Sequence, residues 1–148
     1  MQKIMMQLIT AAIGSVGFGM IFRLRRRLLP PAALGGFMSW GIYLFAMAKM
    51  NNEAVSCLFA AGFSAIYAEI LARIEKAPAT IFLVTSVIPL IPGSTLYYTM
   101  SYAVQSKWEI SREYGSLTIQ YAVGIAGGIS LAWALCYMLT YMWEHKSK

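Results

Sequence analysis

The sequence predicts an all-α integral membrane protein of about five transmembrane helices, with the fourth helix interrupted by a proline-glycine break. Of the 148 residues, 59% are hydrophobic and 12% are charged, whereas a soluble domain carries about 25% charged residues. The charges are clustered, and the uncharged runs between the clusters match the roughly 20 apolar residues that a spanning helix needs. We therefore expect one transmembrane domain over residues 1–148.

The first three apolar runs predict three spanning helices. The first covers residues 4–22 and ends at the arginine-rich segment 23–27. The second begins after Pro30 and Pro31, because proline suits the first turn of a helix, and it runs to about residue 48. The third covers residues 54–72.

The fourth run, residues 77–105, is uncharged and too long for one straight crossing. Pro89 and Pro92 each remove a backbone donor and crowd the preceding helical turn, and Gly93 adds backbone freedom. By helix rise, Pro89 lies roughly 18 Å from residue 77, near the middle of a membrane core about 30 Å thick. Since lipid cannot satisfy exposed backbone groups, we expect this break to face protein or a water-filled cavity.

The break and the helix that restarts after it are predicted to bind a substrate. Ser94 and Thr95 would cap the restarted helix, whose positive end would attract a carboxylate. The spacing of Thr95, Tyr98 and Thr99 predicts that they share one face. The predicted substrate-binding residues are Pro89, Pro92, Gly93, Ser94, Thr95, Tyr98 and Thr99. A plain proline kink, packed against neighbouring helices, is the alternative.

Glu69 is the one acidic residue predicted to lie inside a span. Carboxylates within the membrane are costly and often mark ion or proton paths, so Glu69 and Arg73 are predicted to couple transport to a proton or ion. The two residues are four positions apart and would face each other on a helix. A structural ion pair is therefore an equally good interpretation.

The last span, residues 116–143, contains Gly124 and Gly128, a spacing typical of close helix packing. Cytoplasmic loops carry an excess of Lys and Arg, and an outside amino terminus places eight such residues inside against four outside. We therefore expect the carboxyl terminus to be cytoplasmic. A re-entrant hairpin over residues 77–105 would instead move everything after it to the other side.

The sequence lacks the residue patterns of an enzyme. It has one histidine, which lies in the carboxyl-terminal tail, and no aspartate. It has neither a metal-ligand cluster, nor a phosphate-binding loop, nor a nucleophile-base set. We therefore expect a non-enzyme with no catalytic residue, cofactor or metal. The net charge of +6 is explained by loop topology and contact with membrane lipid, so no nucleic-acid partner is expected.

Several blocks of the sequence resemble the threonine/serine exporter (ThrE) family. They are EILAR at residues 69–73, KAPAT at 76–80 and, most specifically, IPLIPGSTLYYTM at 88–100, with further similarity at 22–27 and 35–43. The resemblance is to the half that ends the fused exporter or to the small separate subunit of the split, two-component form. It implies a bacterial inner-membrane exporter of threonine and serine, or of a dicarboxylate such as succinate, that works with a larger membrane subunit of the same type.

The residues and the resemblance together predict a subunit of a secondary transporter for small carboxylate metabolites. Two alternatives stay open at this point. One is a membrane scaffold that stabilises a partner without transporting anything, and the other is a channel formed by a homo-oligomer of this chain.

Overall fold

The computed structural model describes residues 2–146, apart from the side chains of residue 140 and of residues 143–146. Its helices are α1 (Gln2–Ile21), α2 (Leu29–Met50), α3 (Glu53–Glu75), α4 (Ala79–Val87), α5 (Gly93–Val104) and α6 (Trp108–Lys146), with 3₁₀ turns at Arg26–Leu28 and Ile88–Leu90. Among the described residues, four helices are long and apolar enough to cross a membrane, and α4 with α5 makes a fifth span if this bent pair is counted as one. The predicted all-α membrane fold is confirmed.

Local signals in the sequence set the helix ends. The turn between α2 and α3 has two residues: Asn51 is left-handed at φ 46°, and the Asn52 side chain accepts a 3.1 Å hydrogen bond from the Val55 N–H. Asparagine tolerates both roles better than most residues. Lys76, at φ 49°, ends α3 in the same left-handed conformation.

Helix α6 begins earlier than the sequence predicts. The last span was predicted over residues 116–143, yet α6 starts at Trp108, two residues after the left-handed Ser106 at φ 59°. Glu109 lies in the first turn of α6, where a negative charge complements the positive helix end. Charged residues of this kind are good helix formers, so a charge cluster does not by itself end a helix.

Helix α3 lies at the centre of the bundle and packs against α2, α4 and α6. Its contact with α6 depends on two glycines, as the sequence predicts. A Cβ atom at Gly124 would overlap the carbonyl oxygen of Ala54, and one at Gly128 would overlap that of Leu58. The two backbones therefore approach as closely as only glycine permits.

Helices α1, α2 and α4 meet at a second seam of small residues. The buried residues of α1 are Ala11, Ser15 and Gly19, and a Cβ atom at Gly36 of α2 would overlap the Ser15 hydroxyl. On the same helix, a Cβ atom at Gly35 would overlap the Ser86 hydroxyl of α4. This seam holds the first half of the broken helix against the bundle.

Helix α5 and residues 108–123 of α6 form a hairpin that projects past the start of α3. Gly124 lies beside Ala54 near the beginning of α3, and Trp108 is roughly 24 Å further along α6 by helix rise. The main packing of α5 is against α6, and within the described part of the chain α5 has no buried residue. The hairpin thus has a large apolar surface that no other described residue of the chain covers.

Candidate functional site at the helix break

The break comprises residues 88–92 and separates two helices whose axes are bent by 54°. Helix α4 ends at Val87, the turn Ile88–Leu90 follows, and α5 begins at Gly93. Pro89 lacks the N–H that would bind the Thr85 carbonyl, so the α-helical ladder stops there. A 3.1 Å hydrogen bond from the Ile91 N–H to the Ile88 carbonyl closes the tighter turn that replaces it. A 54° bend is far from the reversal that a re-entrant hairpin requires.

Leu90 anchors the break to the bundle. Its side chain is buried in a cluster with Tyr43, Cys57, Ala60 and Ala61. These three α3 residues lie roughly 6–12 Å from the start of α3 by helix rise. The break therefore lies beside the half of α3 that follows the Asn51–Asn52 turn, between the start of α3 and its middle. Counting residues along α4 alone does not show this displacement from the middle.

The predicted capping of the restarted helix is wrong. The residue before α5 is Pro92, and no side chain makes a capping hydrogen bond there among the described residues. Ser94 is exposed in the first turn of α5. The Thr95 hydroxyl donates a 3.0 Å hydrogen bond to the Pro92 carbonyl instead of accepting one from an N–H. The expectation failed because α5 starts at Gly93, which places Ser94 and Thr95 inside the first turn, past the N-cap position.

Thr95, Tyr98 and Thr99 do share one face of α5, and that face packs against α6. The Thr95 and Thr118 hydroxyls are 3.0 Å apart, and the Tyr98 and Tyr114 ring centres are 5.3 Å apart. The Thr99 carbonyl accepts a 2.8 Å hydrogen bond from Ser111. In this conformation these side chains join the two helices of the hairpin.

The amino-terminal end of α5 is open. A Cβ atom at Gly93 would meet nothing within 4 Å, and Ser94 beside it is exposed. The N–H groups of Gly93 and Leu96 donate to the Ile91 and Pro92 carbonyls. The start of α5 keeps the partial positive charge of a helix amino terminus. An anionic group could therefore approach it without displacing any described side chain.

A groove lies on the other side of the break, between α1 and α2. Its volume is about 340 Å³, and Thr10, Ala11, Gly14, Trp40, Ile88 and Pro89 line it. Beneath it, the Trp40 indole nitrogen and the Ser39 hydroxyl are buried without a hydrogen-bond partner among the described residues. A space of this size next to the broken helix suits a small metabolite.

The sequence did not single out a three-residue polar cluster beside Leu90. The Tyr43 hydroxyl donates a 2.7 Å hydrogen bond to the Glu53 carboxylate and lies 2.8 Å from the Tyr121 hydroxyl. These residues come from α2, α3 and α6, and Tyr43 is 6% exposed. In the sequence, Glu53 belongs to the polar turn between the second and third apolar runs and does not stand out. The signal for this cluster was the presence of Tyr43 and Tyr121 within apolar runs.

Glu69 and Arg73 form the predicted pair, with 3.1 Å between the guanidinium nitrogen and the carboxylate oxygen. Their side chains are 33% and 63% exposed. They line a pocket of about 400 Å³ together with Trp133, Cys136 and Tyr137 of α6. Within the described range, no three His, Cys, Asp or Glu side chains come together as a metal site would require.

The fold and the break define an all-α integral membrane protein built around a discontinuous helix, an arrangement that forms the substrate site in many secondary transporters. The family model described as threonine/serine exporter, ThrE, matches residues 7–135. The chain therefore belongs to the threonine/serine exporter family. No solved structure matches the chain.

Proposed function

We propose that the chain is one subunit of a bacterial inner-membrane transporter that exports small carboxylate-bearing metabolites. The observation that carries this proposal is the broken helix between α4 and α5, with an open positive helix end on one side and a substrate-sized groove on the other. Membership of an exporter family supports the same class of activity.

The charges at the break favour an amino acid over a dicarboxylate as the substrate. Helix α4 ends at the break, where Pro89 supplies no N–H for the Thr85 carbonyl oxygen, so this end has a partial negative charge, whereas α5 begins with a partial positive charge. Threonine and serine carry both an ammonium and a carboxylate, so each end of the break has a matching group. Succinate carries two negative groups and would place one of them near the carbonyl end.

A larger membrane subunit of the same exporter type is the proposed partner. The open end of α5 and the projecting hairpin expose large apolar side chains, including Leu96, Tyr97, Met100 and Trp108. Backbone groups at a break need protein or water around them in a membrane. A second membrane subunit seated on the hairpin would enclose the open end and complete the substrate path, with alternating access produced by rocking of one subunit against the other.

Glu69 and Arg73 are proposed to couple export to a proton at the arginine-rich end of the bundle. The pocket beside them would give protons access to the carboxylate. Under this proposal Glu69→Gln loses stimulation of export by a pH gradient. Glu75→Gln is the matched control, because Glu75 pairs with Arg27 at 3.4 Å outside that pocket. Equal stimulation in both variants would remove Glu69 from the mechanism.

Flux measurements test the function directly. Cells that produce this chain, the larger subunit, both or neither are loaded with labelled threonine or succinate, and efflux is followed. We expect efflux only from cells with both subunits, with threonine faster than succinate. Efflux that is unaffected by this chain while the larger subunit's abundance falls would support a scaffold instead. Conduction by this chain alone would support a channel.

A further inference from the structure

The cluster of Tyr43, Glu53 and Tyr121 forms a hydrogen-bond chain with a defined direction. A carboxylate has no proton to give, so Tyr43 donates to Glu53 across 2.7 Å. The Tyr43 hydroxyl has then used its only proton. The 2.8 Å contact with Tyr121 must therefore be donated by Tyr121. In the ionised state all hydrogen bonds in the chain point towards Glu53.

Protonation of Glu53 can reverse this chain. A protonated carboxyl group gains an O–H donor, which can donate to the Tyr43 oxygen. Tyr43 is then free to donate to Tyr121, and Tyr121 turns its own proton elsewhere. One proton bound at the start of α3 thus changes a hydrogen bond on α6 without any covalent step.

The chain is connected to the break through packing. Tyr43 and Leu90 belong to the same buried cluster, and Tyr121 and Trp40 pack against it. The Tyr43 ring lies 4.9 Å from the Trp40 ring, and Trp40 lines the groove at the break. A change in how Tyr43 is held therefore acts on both Leu90 and the groove wall.

We propose that Glu53 is a proton-binding site that couples proton movement to the break, with Tyr43 and Tyr121 as positioning residues. This inference rests on the proposed export function and adds a second site at the other end of α3, roughly 24 Å from Glu69 by helix rise. The titratable groups that face Glu53 are Tyr43 from α2, Cys57 from α3 and Tyr121 from α6. Lys49, in the last turn of α2, is exposed.

The first test is export driven by a pH gradient in vesicles that contain this chain and the larger subunit. Glu53→Gln keeps an amide oxygen that accepts the Tyr43 hydrogen bond, so we expect the fold to be preserved. The amide does not bind a proton near neutral pH, so we expect the coupling to be lost. We expect gradient stimulation of threonine flux to fall at least tenfold in Glu53→Gln and to stay at the wild-type level in Glu75→Gln. Tyr43→Phe, which cuts the chain, is expected to reduce the stimulation several-fold. Wild-type stimulation in Glu53→Gln would overturn the proposal.

The second test does not depend on transport. In purified protein with ¹³C-labelled tyrosine, the Cζ resonance of Tyr43, assigned with Tyr43→Phe, is followed between about pH 4 and pH 8. We expect this resonance to shift with pH in the wild type and to stay constant in Glu53→Gln. If the wild-type pair carries no flux, the proposed function fails and this titration alone decides. A Tyr43 resonance that is constant in the wild type would overturn the coupling role.

Discussion

Buried hydroxyl groups in this chain form two sets with different energetic consequences. Ser64 donates a 2.9 Å hydrogen bond to the Ala60 carbonyl of its own helix. Ser39 is equally buried, but its hydroxyl has no partner among the described residues. An intramolecular hydrogen bond contributes about 1 kcal/mol, whereas an unsatisfied buried group costs about 1–3 kcal/mol.

Truncation of these two serines should therefore have opposite effects. We expect Ser39→Ala to raise the free energy of unfolding by about 1 kcal/mol and Ser64→Ala to lower it by a similar amount. Unfolding of both variants in lipid bicelles checks the sign. A loss of stability in Ser39→Ala equal to that in Ser64→Ala would show that the Ser39 hydroxyl is bonded.

We expect Tyr43 to contribute more to the free energy of unfolding than an exposed tyrosine of this chain. Tyr43→Phe removes a hydrogen bond to a carboxylate and the hydrogen bond with Tyr121, so we expect a loss of about 1.5–3 kcal/mol. Tyr97→Phe is the matched control, because Tyr97 is 66% exposed. Unfolding free energies measured side by side test this, and equal values would contradict the hydrogen-bond chain.

At the scale of helices, glycine positions decide which contacts hold. Gly128→Ala places a Cβ atom against the Leu58 backbone, which cannot move aside as a flexible side chain would. We expect the contact between α3 and α6 to loosen, with a loss of about 1–3 kcal/mol in unfolding free energy. Gly17→Ala should be neutral or slightly stabilising, because a Cβ atom at Gly17 meets nothing within 4 Å and alanine is the better helix former. A similar loss in both variants would contradict the assigned packing.

The bend of the fourth helix is expected to depend on its two interior prolines. Replacing Pro89 and Pro92 with alanine restores two N–H donors, so α4 and α5 should approach one continuous helix. Electron-spin distance measurements between labels at residues 80 and 104 should then give a longer separation than in the wild type. Pro78→Ala, just before α4, should leave that distance unchanged. An unaltered distance in the double variant would show that tertiary packing, and not proline, sets the bend.

The sequence predicts these elements well and their side-chain roles poorly. Local patterns predicted the spanning helices from apolar runs, the helix break from Pro89 and Pro92, and a close helix contact from the Gly124–Gly128 spacing. The fold confirms each of these features. The N-cap of α5 depends on the residue at which α5 begins. The Tyr43–Glu53–Tyr121 cluster depends on which faces of α2, α3 and α6 meet. Tyr43 and Tyr121 are 78 positions apart, so no local pattern reports their contact.

For the whole molecule, the charge distribution predicts how the bundle is oriented in the membrane. Of the eight basic residues assigned to the cytoplasmic side, Lys148 lies outside the described residues. With Cys57 and Cys136 replaced by alanine, Ser106→Cys should react with an impermeant thiol reagent added to intact spheroplasts, and Arg25→Cys should react only after permeabilisation. Residue 106 lies between α5 and α6. If Ser106→Cys failed to react with the impermeant reagent in intact spheroplasts, the predicted orientation with a broken fourth span would be contradicted.

We propose that the whole chain is half of a transporter whose substrate path passes the break between α4 and α5. The most direct measurement is efflux of labelled threonine from cells that contain the larger subunit together with the Pro89→Ala, Pro92→Ala double variant at wild-type abundance. The account predicts loss of most of the efflux, with Pro78→Ala remaining close to the wild type. Efflux from the double variant equal to that of the wild type would contradict it.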